Sequence, residues 1–510
     1  MEGKGTEKKT EKILVRGVNW IGDAVMTLPA LKAIRKSNPK AQISLLVKPS
    51  VAPLFENSPD IDEVLLYEER YRGTVGKLRL ATMLKGKRFD RAILLQNAFG
   101  AALIAFLAGI PERIGYDRDR RKFLLTKPVH YINQDREIHH INYYLNLLTA
   151  AGIDAEYSHP WLRVTLEEKL AGRERLSELK RPLLGINPGA TYGSSKRWLP
   201  ERFAEVAGWF IKETGGSVVI FGGKNETSIA EEIYKQVPMN KLLLAGRTSL
   251  RELIALISEC DVFVTNDSGP MHIAYAVGTP LVAIFGSTSA KLTGPVGEGH
   301  AVINADMDCS PCFERSCDKD YIRCMFALTS ENVYEKIKNL LPTKRAVFFD
   351  RDGTLCKDAD YLNKWDDFKI LPGVERLKAL REWGFDLIGV SNQSGVAKGI
   401  IQEGFVKEVN KLFVDTYGFT DFYYCPHAPS DNCPCRKPQP EMLYKARAAY
   451  GIDLKRSFVV GDKDADMLLA RAVGARGVLV RTGQQNDSDY ADTIVDDLDS
   501  AVKYIQIWKE

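Results

Sequence analysis

Short apolar runs recur along the chain, each followed by a small-residue or acidic turn and then by a stretch with helical spacing. KILVRG, from Lys12 to Gly17, is the first; a Gly-Asp loop follows, then a helical pattern from Ala24 to Lys36. AQISLLVKP and RAILLQ are further strands of the same kind. Strands that alternate with helices predict parallel sheets. The pattern restarts at PLLGINPGA (Pro182 to Ala190) and runs on through GSVVIFGG, DVFVTNDSG and PLVAIFGST. It starts a third time at RAVFFDRDGT (Arg345 to Thr354), followed by FDLIGVSNQSG, SFVVGDKDAD and RGVLVRTG. The expected fold class is α/β, with three Rossmann-like units at residues 12–170, 171–342 and 343–510. The first boundary falls near 160–180 and the second at Leu341–Lys344, where Pro342 follows a helical segment. Ligands of such sheets sit beyond the C-terminal strand ends, where the motifs below fall.

Composition adds limits. With 510 residues, 45% hydrophobic and 27% charged, the chain can bury several cores without staples. That excludes a disordered protein, a collagen-like repeat and a small disulfide scaffold. A net charge of +4 over this length does not argue for nucleic acid as a partner. No apolar run approaches the roughly 18–20 residues of a membrane span; the nearest, Ala101 to Ile110, reads as a buried helix. The opening MEGKGTEKKTEK reads as a solvated tail with no signal peptide behind it, so the expected compartment is the cytoplasm. Cysteine usage changes the picture more. Eight of the nine cysteines follow residue 300, and seven of those lie in two tight clusters, which in a reducing compartment suggest metal more than bridges.

In the third unit, Asp350-Arg351-Asp352-Gly353-Thr354 follows the apolar run AVFF. Two carboxylates two residues apart at a strand end can divide labour, one attacking phosphorus and the other moving protons. Gly353 permits a tight turn beside a phosphate. Ser391, Asn392 and Gln393 follow a second strand, Lys437 offers a cation, and Asp462 with Lys463 follows a third. Asp350 and Asp462 together suit a hard cation, Mg²⁺ first. A single D-x-D is most simply a solvated turn; four elements in order, three at strand ends, are not. Between them lies Cys425-Pro-His427, a short loop, then Cys433-Pro-Cys435. Three thiols and an imidazole within eleven positions form a closed structural zinc set, against four unrelated buried residues as the bland alternative.

Residues 344 to 485 resemble the haloacid dehalogenase superfamily of phosphotransferases. Within it, SNQSGVAKG, CRKPQPEML and GDKDADM resemble the D-glycero-D-manno-heptose 1,7-bisphosphate phosphatases, while the short spacing between ligand pairs is similar to the histidinol-phosphate phosphatases. Lys398 stands where the heptose enzymes carry Arg, which keeps the charge and loses the fork. The resemblance implies Asp350 as nucleophile and Asp352 as acid/base. It implies Mg²⁺ on Asp350, Asp462 and the backbone of Asp352. Ser391, Lys437 and Lys463 would hold the phosphate, and Asn392 and Arg436 would face substrate.

In the first unit, Gly22-Asp23 lies between the first strand and the first helix, where Asp23 is a general base in a cleft or simply a helix cap. In the second, Asn187, Gly189, Thr191 and Ser195 form a small-residue loop with Lys196 beside it, able to cradle a phosphate. Asn266-Asp267-Ser268-Gly269 occupies another strand-to-helix junction, with His272 in the next turn; capping and a satisfied polar contact are the bland readings. PLVAIFGST supplies one more such loop, Gly286 to Thr288. Two α/β halves across a cleft suit a sugar nucleotide.

GDAVMTLPAL, NPGA with KRW, and NDSGPMHIA resemble ADP-heptose:lipopolysaccharide heptosyltransferases, heptosyltransferase II above all, over residues 12 to 340. The resemblance implies a glycosyltransferase B fold and an inverting displacement with Asp23 as base. Thr191, Lys196, Asp267, Ser268, Gly269 and His272 would bind ADP-heptose, and Gly246 to Ser249 would lie near the adenosine. Lys196 and backbone N–H groups would stabilise the diphosphate without a catalytic metal. The acceptor is an anionic, lipid-borne sugar core, met peripherally at the inner membrane surface. Arg70, Arg72, Arg118, Arg120, Arg121 and Lys122 are candidates for its binding face, or a solvated charged face. Cys309, Cys312, Cys317 and Cys324 could hold a second structural metal or remain buried free thiols.

The reading is a bifunctional enzyme of lipopolysaccharide core heptose biosynthesis: a heptosyltransferase joined to a heptose bisphosphate phosphatase. One rival changes the substrates, to histidinol phosphate and another sugar nucleotide. The other makes one half a binding module without catalysis.

Overall fold

The computed structural model describes residues 10–132, 137–319 and 322–508; most of the expected N-terminal tail lies outside the described residues. The chain parts between Asn339 and Leu340 into two compact units. The first unit holds two six-stranded sheets and the second holds one. Among the described residues, all fifteen strand pairings run parallel.

Counted along its own stretch of chain, each sheet has the order 3-2-1-4-5-6. In the first sheet that is Glu63–Leu66, Gln42–Val47, Lys12–Arg16, Arg91–Leu94, Glu112–Tyr116, Lys127–Val129. In the second, Leu183–Asn187 is the first strand and Val262–Asn266 the fourth; in the third they are Arg345–Phe349 and Phe458–Gly461. This is the doubly wound arrangement expected from the alternating runs.

The apolar runs form strands because both their faces are buried. Ile13 and Val15 enter one core cluster while Leu14 enters another across the sheet. Val347 and Phe349 divide in the same way from Ala346 and Phe348 in the third sheet. The helical pattern expected from Ala24 to Lys36 is two helices, Ile21–Met26 and Leu28–Ser37. Pro29 explains the break: its ring and missing N–H fit the first turn of a helix but not an interior.

The apolar run at Ala101 is not fully buried as expected. In the helix Phe99–Leu107, Ala101, Ala102, Ile104 and Ala105 face the core, whereas Phe99, Phe106 and Leu107 are exposed. No helix among the described residues is long and apolar enough to cross a membrane.

Candidate active sites

In the second unit, strands one and four lie side by side and end at Phe349 and Gly461, so Asp350 and Asp462 emerge together. Asp466, four positions on in the helix Asp464–Val473, joins them. Each of the three buried carboxylates offers an oxygen within 4.8 Å of the others. Lys437 Nζ bridges Asp350 Oδ1 at 2.5 Å and Asp466 Oδ1 at 2.6 Å, and also donates to the carbonyl of Val390 at 3.0 Å. Burial alone would depress the Lys437 ammonium; Asp350 and Asp466 outweigh it and hold the group above its ordinary value. Burial, reinforced by the charge of Asp350, pushes the Asp462 carboxyl up to about 7. Burial also lifts Asp466 to about 6, with Lys437 opposing and Asp350 adding. Two ammonium groups, Lys437 and the rim Lys463 at 3.8 Å from Asp462 Oδ2, against three crowded carboxylates leave negative charge unmatched, and the buried Asp462 Oδ1 has no hydrogen-bond partner. This all-oxygen donor set fits a hard divalent cation.

The Asp352 carboxylate is outside that trio. It accepts from Gln393 Nε2 at 2.6 Å, Arg351 Nη2 at 3.1 Å and Ser391 Oγ at 3.4 Å. From sequence, only the backbone of Asp352 is expected at a Mg²⁺ site, and the carboxylate that joins Asp350 and Asp462 is that of Asp466. A Cβ on Gly353, at φ +95°, would lie 2.4 Å from Asp462 Oδ2, so the turn that follows Asp352 requires glycine. Asn392, expected to face substrate, engages the backbone of Lys437 through both amide groups, at 3.0 and 3.3 Å. Lys463 lies at the rim, 3.3 Å from Asp358. Arg436 carries a buried Nη1 without a hydrogen-bond partner. Lys398 is exposed, 4.9 Å over the ring of Tyr361.

Cys425, His427, Cys433 and Cys435 converge, each offering one ligand atom within 4.8 Å of the others. The Cys433 sulfur lies 3.4 Å from those of Cys425 and Cys435, and His427 Nδ1 lies 3.2 Å from Cys435. A tetrahedral thiolate site with metal–sulfur bonds of about 2.3 Å has edges of about 3.8 Å, so the set fits a four-coordinate metal. The sulfurs of Cys309, Cys312, Cys317 and Cys324 do not gather in this way among the described residues. Their segment lies over the loops of the second sheet: Phe313 N–H donates to Ser287 at 2.7 Å and Ser195 N–H to Arg315 at 3.3 Å.

In the first unit, the helices Ile21–Met26 and Gly269–Ala276 meet at their N-terminal ends. Two glycines allow it. A Cβ on Gly22 would lie 2.7 Å from the His272 ring, and one on Gly269 would lie 3.0 Å from Ile21. Trp20 is the N-cap of the first helix, so Asp23 is not the cap; its carboxylate lies 3.9 Å from His140 Nδ1. Asp267 is buried and forms an ion pair with Lys196, while Thr288 Oγ1 donates to it at 2.7 Å. It is thus the counter-ion that orients Lys196. Ser268 accepts from Asn187 Nδ2 at 3.3 Å, and Thr191 is exposed. His272 is buried with Nδ1 3.0 Å from Tyr275 OH, and burial lowers its pKa to about 4, so the ring is neutral.

Of the basic residues proposed for an acceptor face, Arg121 is not available. It is fully buried and donates to the Tyr116 carbonyl at 2.8 Å and to Asn97 Oδ1 at 3.2 Å. Arg70 and Arg72 pair with Glu68 and Glu69, each at 2.8 Å. Arg118 stacks over Tyr131, while Arg120 and Lys122 are exposed. Sequence reasoning missed Asp466 and His140. The signals were the second acidic residue one helical turn after Asp462 and the His139-His140 pair opening the helix His140–Ala150.

The glycosyltransferase family 9 (heptosyltransferase) model matches residues 77–322, and a HAD-hydrolase-like model matches residues 434–501. The chain is 31% identical over 349 residues to lipopolysaccharide heptosyltransferase 2 of Escherichia coli (strain K12), covering 66% of this chain and 100% of that protein. It is 37% identical over 179 residues to D-glycero-beta-D-manno-heptose-1,7-bisphosphate 7-phosphatase of Haemophilus ducreyi, covering 32% of this chain and 98% of that protein. The solved structure of E. coli ADP-heptose LPS heptosyltransferase II matches with a TM-score of 0.56 at 30% identity, over 65% of this chain and 98% of that one. Fold and sites thus define a two-sheet glycosyltransferase joined to a HAD-type phosphatase. The chain belongs to the lipopolysaccharide heptosyltransferase 2 family over its N-terminal part and to the heptose bisphosphate 7-phosphatase family over its C-terminal part.

Two outcomes follow from these sites. Elemental analysis of the purified protein should find about one zinc per chain, lost in Cys433→Ser; zinc that survives that substitution would belong to the Cys309–Cys324 segment. His272 has a folded pKa below its unfolded value of 6.5, so its contribution is present above pH 6.5 and lost as pH falls toward 4. Thermal melts of the transferase unit should therefore lose about 3 kcal/mol across that window, and His272→Gln should flatten the loss.

Proposed function

We propose that the C-terminal unit removes the 7-phosphate of D-glycero-D-manno-heptose 1,7-bisphosphate, and that the N-terminal unit transfers heptose from ADP-L-glycero-D-manno-heptose to the lipopolysaccharide inner core. The observation that carries the phosphatase reading is the separate housing of the two aspartates: Asp350 against Lys437, Asp352 against Gln393 and Ser391. Asp350 attacks phosphorus, the bond to the sugar oxygen breaks, and Asp352 gives that oxygen its proton. Asp352 then takes a proton from water, which attacks the aspartyl phosphate and releases phosphate and Asp350. Asp350, Asp462, Asp466 and the backbone of Asp352 would hold Mg²⁺, which would supply charge to offset that of the phosphoryl oxygens. Ser391, Lys437 and Lys463 bind the phosphate, while Arg436, Asn392 and Lys398 serve the substrate side. The Cys425 set would hold zinc through three thiolates and an imidazole, and would thereby fix the loop carrying Arg436 and Lys437.

For the transferase, residues 12–170 take the acceptor and 171–342 the donor. Asp23 removes the proton of the acceptor hydroxyl as its oxygen attacks the anomeric carbon, and the bond to ADP breaks with inversion. Lys196, oriented by Asp267 and Thr288, stabilises the leaving diphosphate with the N–H groups opening Gly269–Ala276. Thr191, Ser268 and His272 line the donor. Both reactions run in the cytoplasm, and the transferase meets its lipid-borne acceptor at the inner membrane surface. Activation of the heptose to its nucleotide must intervene between the two reactions, so direct transfer between the sites is not implied.

Phosphate release with Mg²⁺ should favour the heptose bisphosphate over histidinol phosphate and fall at least about a thousandfold in Asp350→Asn. Preference for histidinol phosphate would move the phosphatase to another pathway. Asp23→Ala should abolish heptosyl transfer while ADP-heptose binding persists; retained turnover would remove Asp23 from the role of base.

A further inference from the structure

The helix Phe99–Leu107 is apolar on all sides. The sequence carries no charged residue from 92 to 111, yet only one side of the helix is covered. Phe99, Phe106 and Leu107 are 40%, 47% and 38% exposed. Phe99 and Phe106 are two turns apart and so share a face, which Leu107 widens. Phe123, 73% exposed, extends this ridge, its ring centroid 6.2 Å from that of Phe99. A helix that is hydrophobic all round normally lies wholly inside a protein, and a contiguous exposed apolar patch marks an interaction site.

The charge around the ridge identifies its partner. Residues 68–127 contain fourteen Lys and Arg, all but the buried Arg121 available to the surface, against six Asp and Glu, a net +8 in a chain whose total is +4. Arg113 lies 5.4 Å over the Phe106 ring, and Lys122 is exposed beside Phe123. The Lys77 amine reaches to the start of the helix, 3.4 Å from where a Cβ on Gly100 would sit. Aromatic and aliphatic side chains surrounded by cations match the interface of a bilayer with anionic headgroups: the rings enter the headgroup–acyl boundary and the ammonium and guanidinium groups remain among the phosphates.

We propose that the outer face of Phe99–Leu107, together with Phe123, is the surface by which the transferase unit docks on an anionic phospholipid bilayer. Its purpose rests on the reading of this unit as acting on a lipid-borne acceptor. Its geometry does not.

The test is flotation of the full-length protein with vesicles that contain no acceptor. The protein should bind phosphatidylglycerol–phosphatidylethanolamine vesicles, bind phosphatidylcholine vesicles weakly, and dissociate as salt is raised. The triple variant Phe99→Ser, Phe106→Ser and Phe123→Ser should lose at least about tenfold in binding. Its phosphate release, melting temperature and ADP-heptose binding should be unchanged. Equal flotation of variant and parent, or no binding of the parent to anionic vesicles, would overturn the proposal. So would a dimer in solution that the triple variant dissolves, since the ridge would then belong to a second copy. Vesicle binding without transfer to any lipopolysaccharide core would overturn the acceptor assignment and leave this surface standing.

Discussion

The reversal of winding between the first and fourth strands of each sheet is the constraint on which both activities depend. The chain leaves these two neighbouring strands in opposite directions, and a crevice opens beyond their C-terminal ends. Asp350 and Asp462 emerge into that crevice in the third sheet. In the second sheet the loop carrying Lys196 and the turn carrying Asp267 follow the paired first and fourth strands in the same way. Asp23 follows the first strand of the first sheet. Three copies of one topology give three places where polar groups from distant segments meet above a buried apolar layer.

The two sites solve opposite electrostatic problems. The phosphatase crowds Asp350, Asp462 and Asp466 around a single buried ammonium. Burying like charges together is costly unless a cation joins them, so the cost becomes affinity for a divalent ion. The transferase must instead receive an anionic diphosphate. There Asp267 is paired with Lys196 and accepts from Thr288, and the N-terminal ends of the helices Ile21–Met26 and Gly269–Ala276 meet beside Asp23. Gly22 and Gly269 are part of the same solution, since only backbones without a Cβ let the two helix ends come so close.

Much of this was legible in the sequence. The inner strands other than Glu112–Tyr116 were, because strands buried on both faces leave continuous apolar runs such as KILVR and RAVFF, whereas ERIGY is broken by Arg113. The outer strands Glu63–Leu66, Lys127–Val129, Lys241–Leu243 and Thr493–Val495 were not, because they are short and partly exposed and so leave no such run. The identities of Asp350, Asp352, Asp462, Lys437 and the Cys425 set could be read because each sits in a local segment whose chemistry is self-evident.

The sequence by itself thus determined the fold class, the two chemistries and most of the groups that perform them, since strand periodicity and strand-end motifs are local properties. Only the tertiary structure decided which groups meet. It brought Asp466 to Asp350 across more than a hundred residues, His140 to Asp23, and Asp267 to Lys196. It also turned Arg121 inward between two exposed basic neighbours, where it donates to the Tyr116 carbonyl and Asn97 Oδ1, and turned Phe99 and Phe106 outward from an apolar helix. Burial and partnership depend on what packs opposite a residue, and no single stretch of sequence contains that.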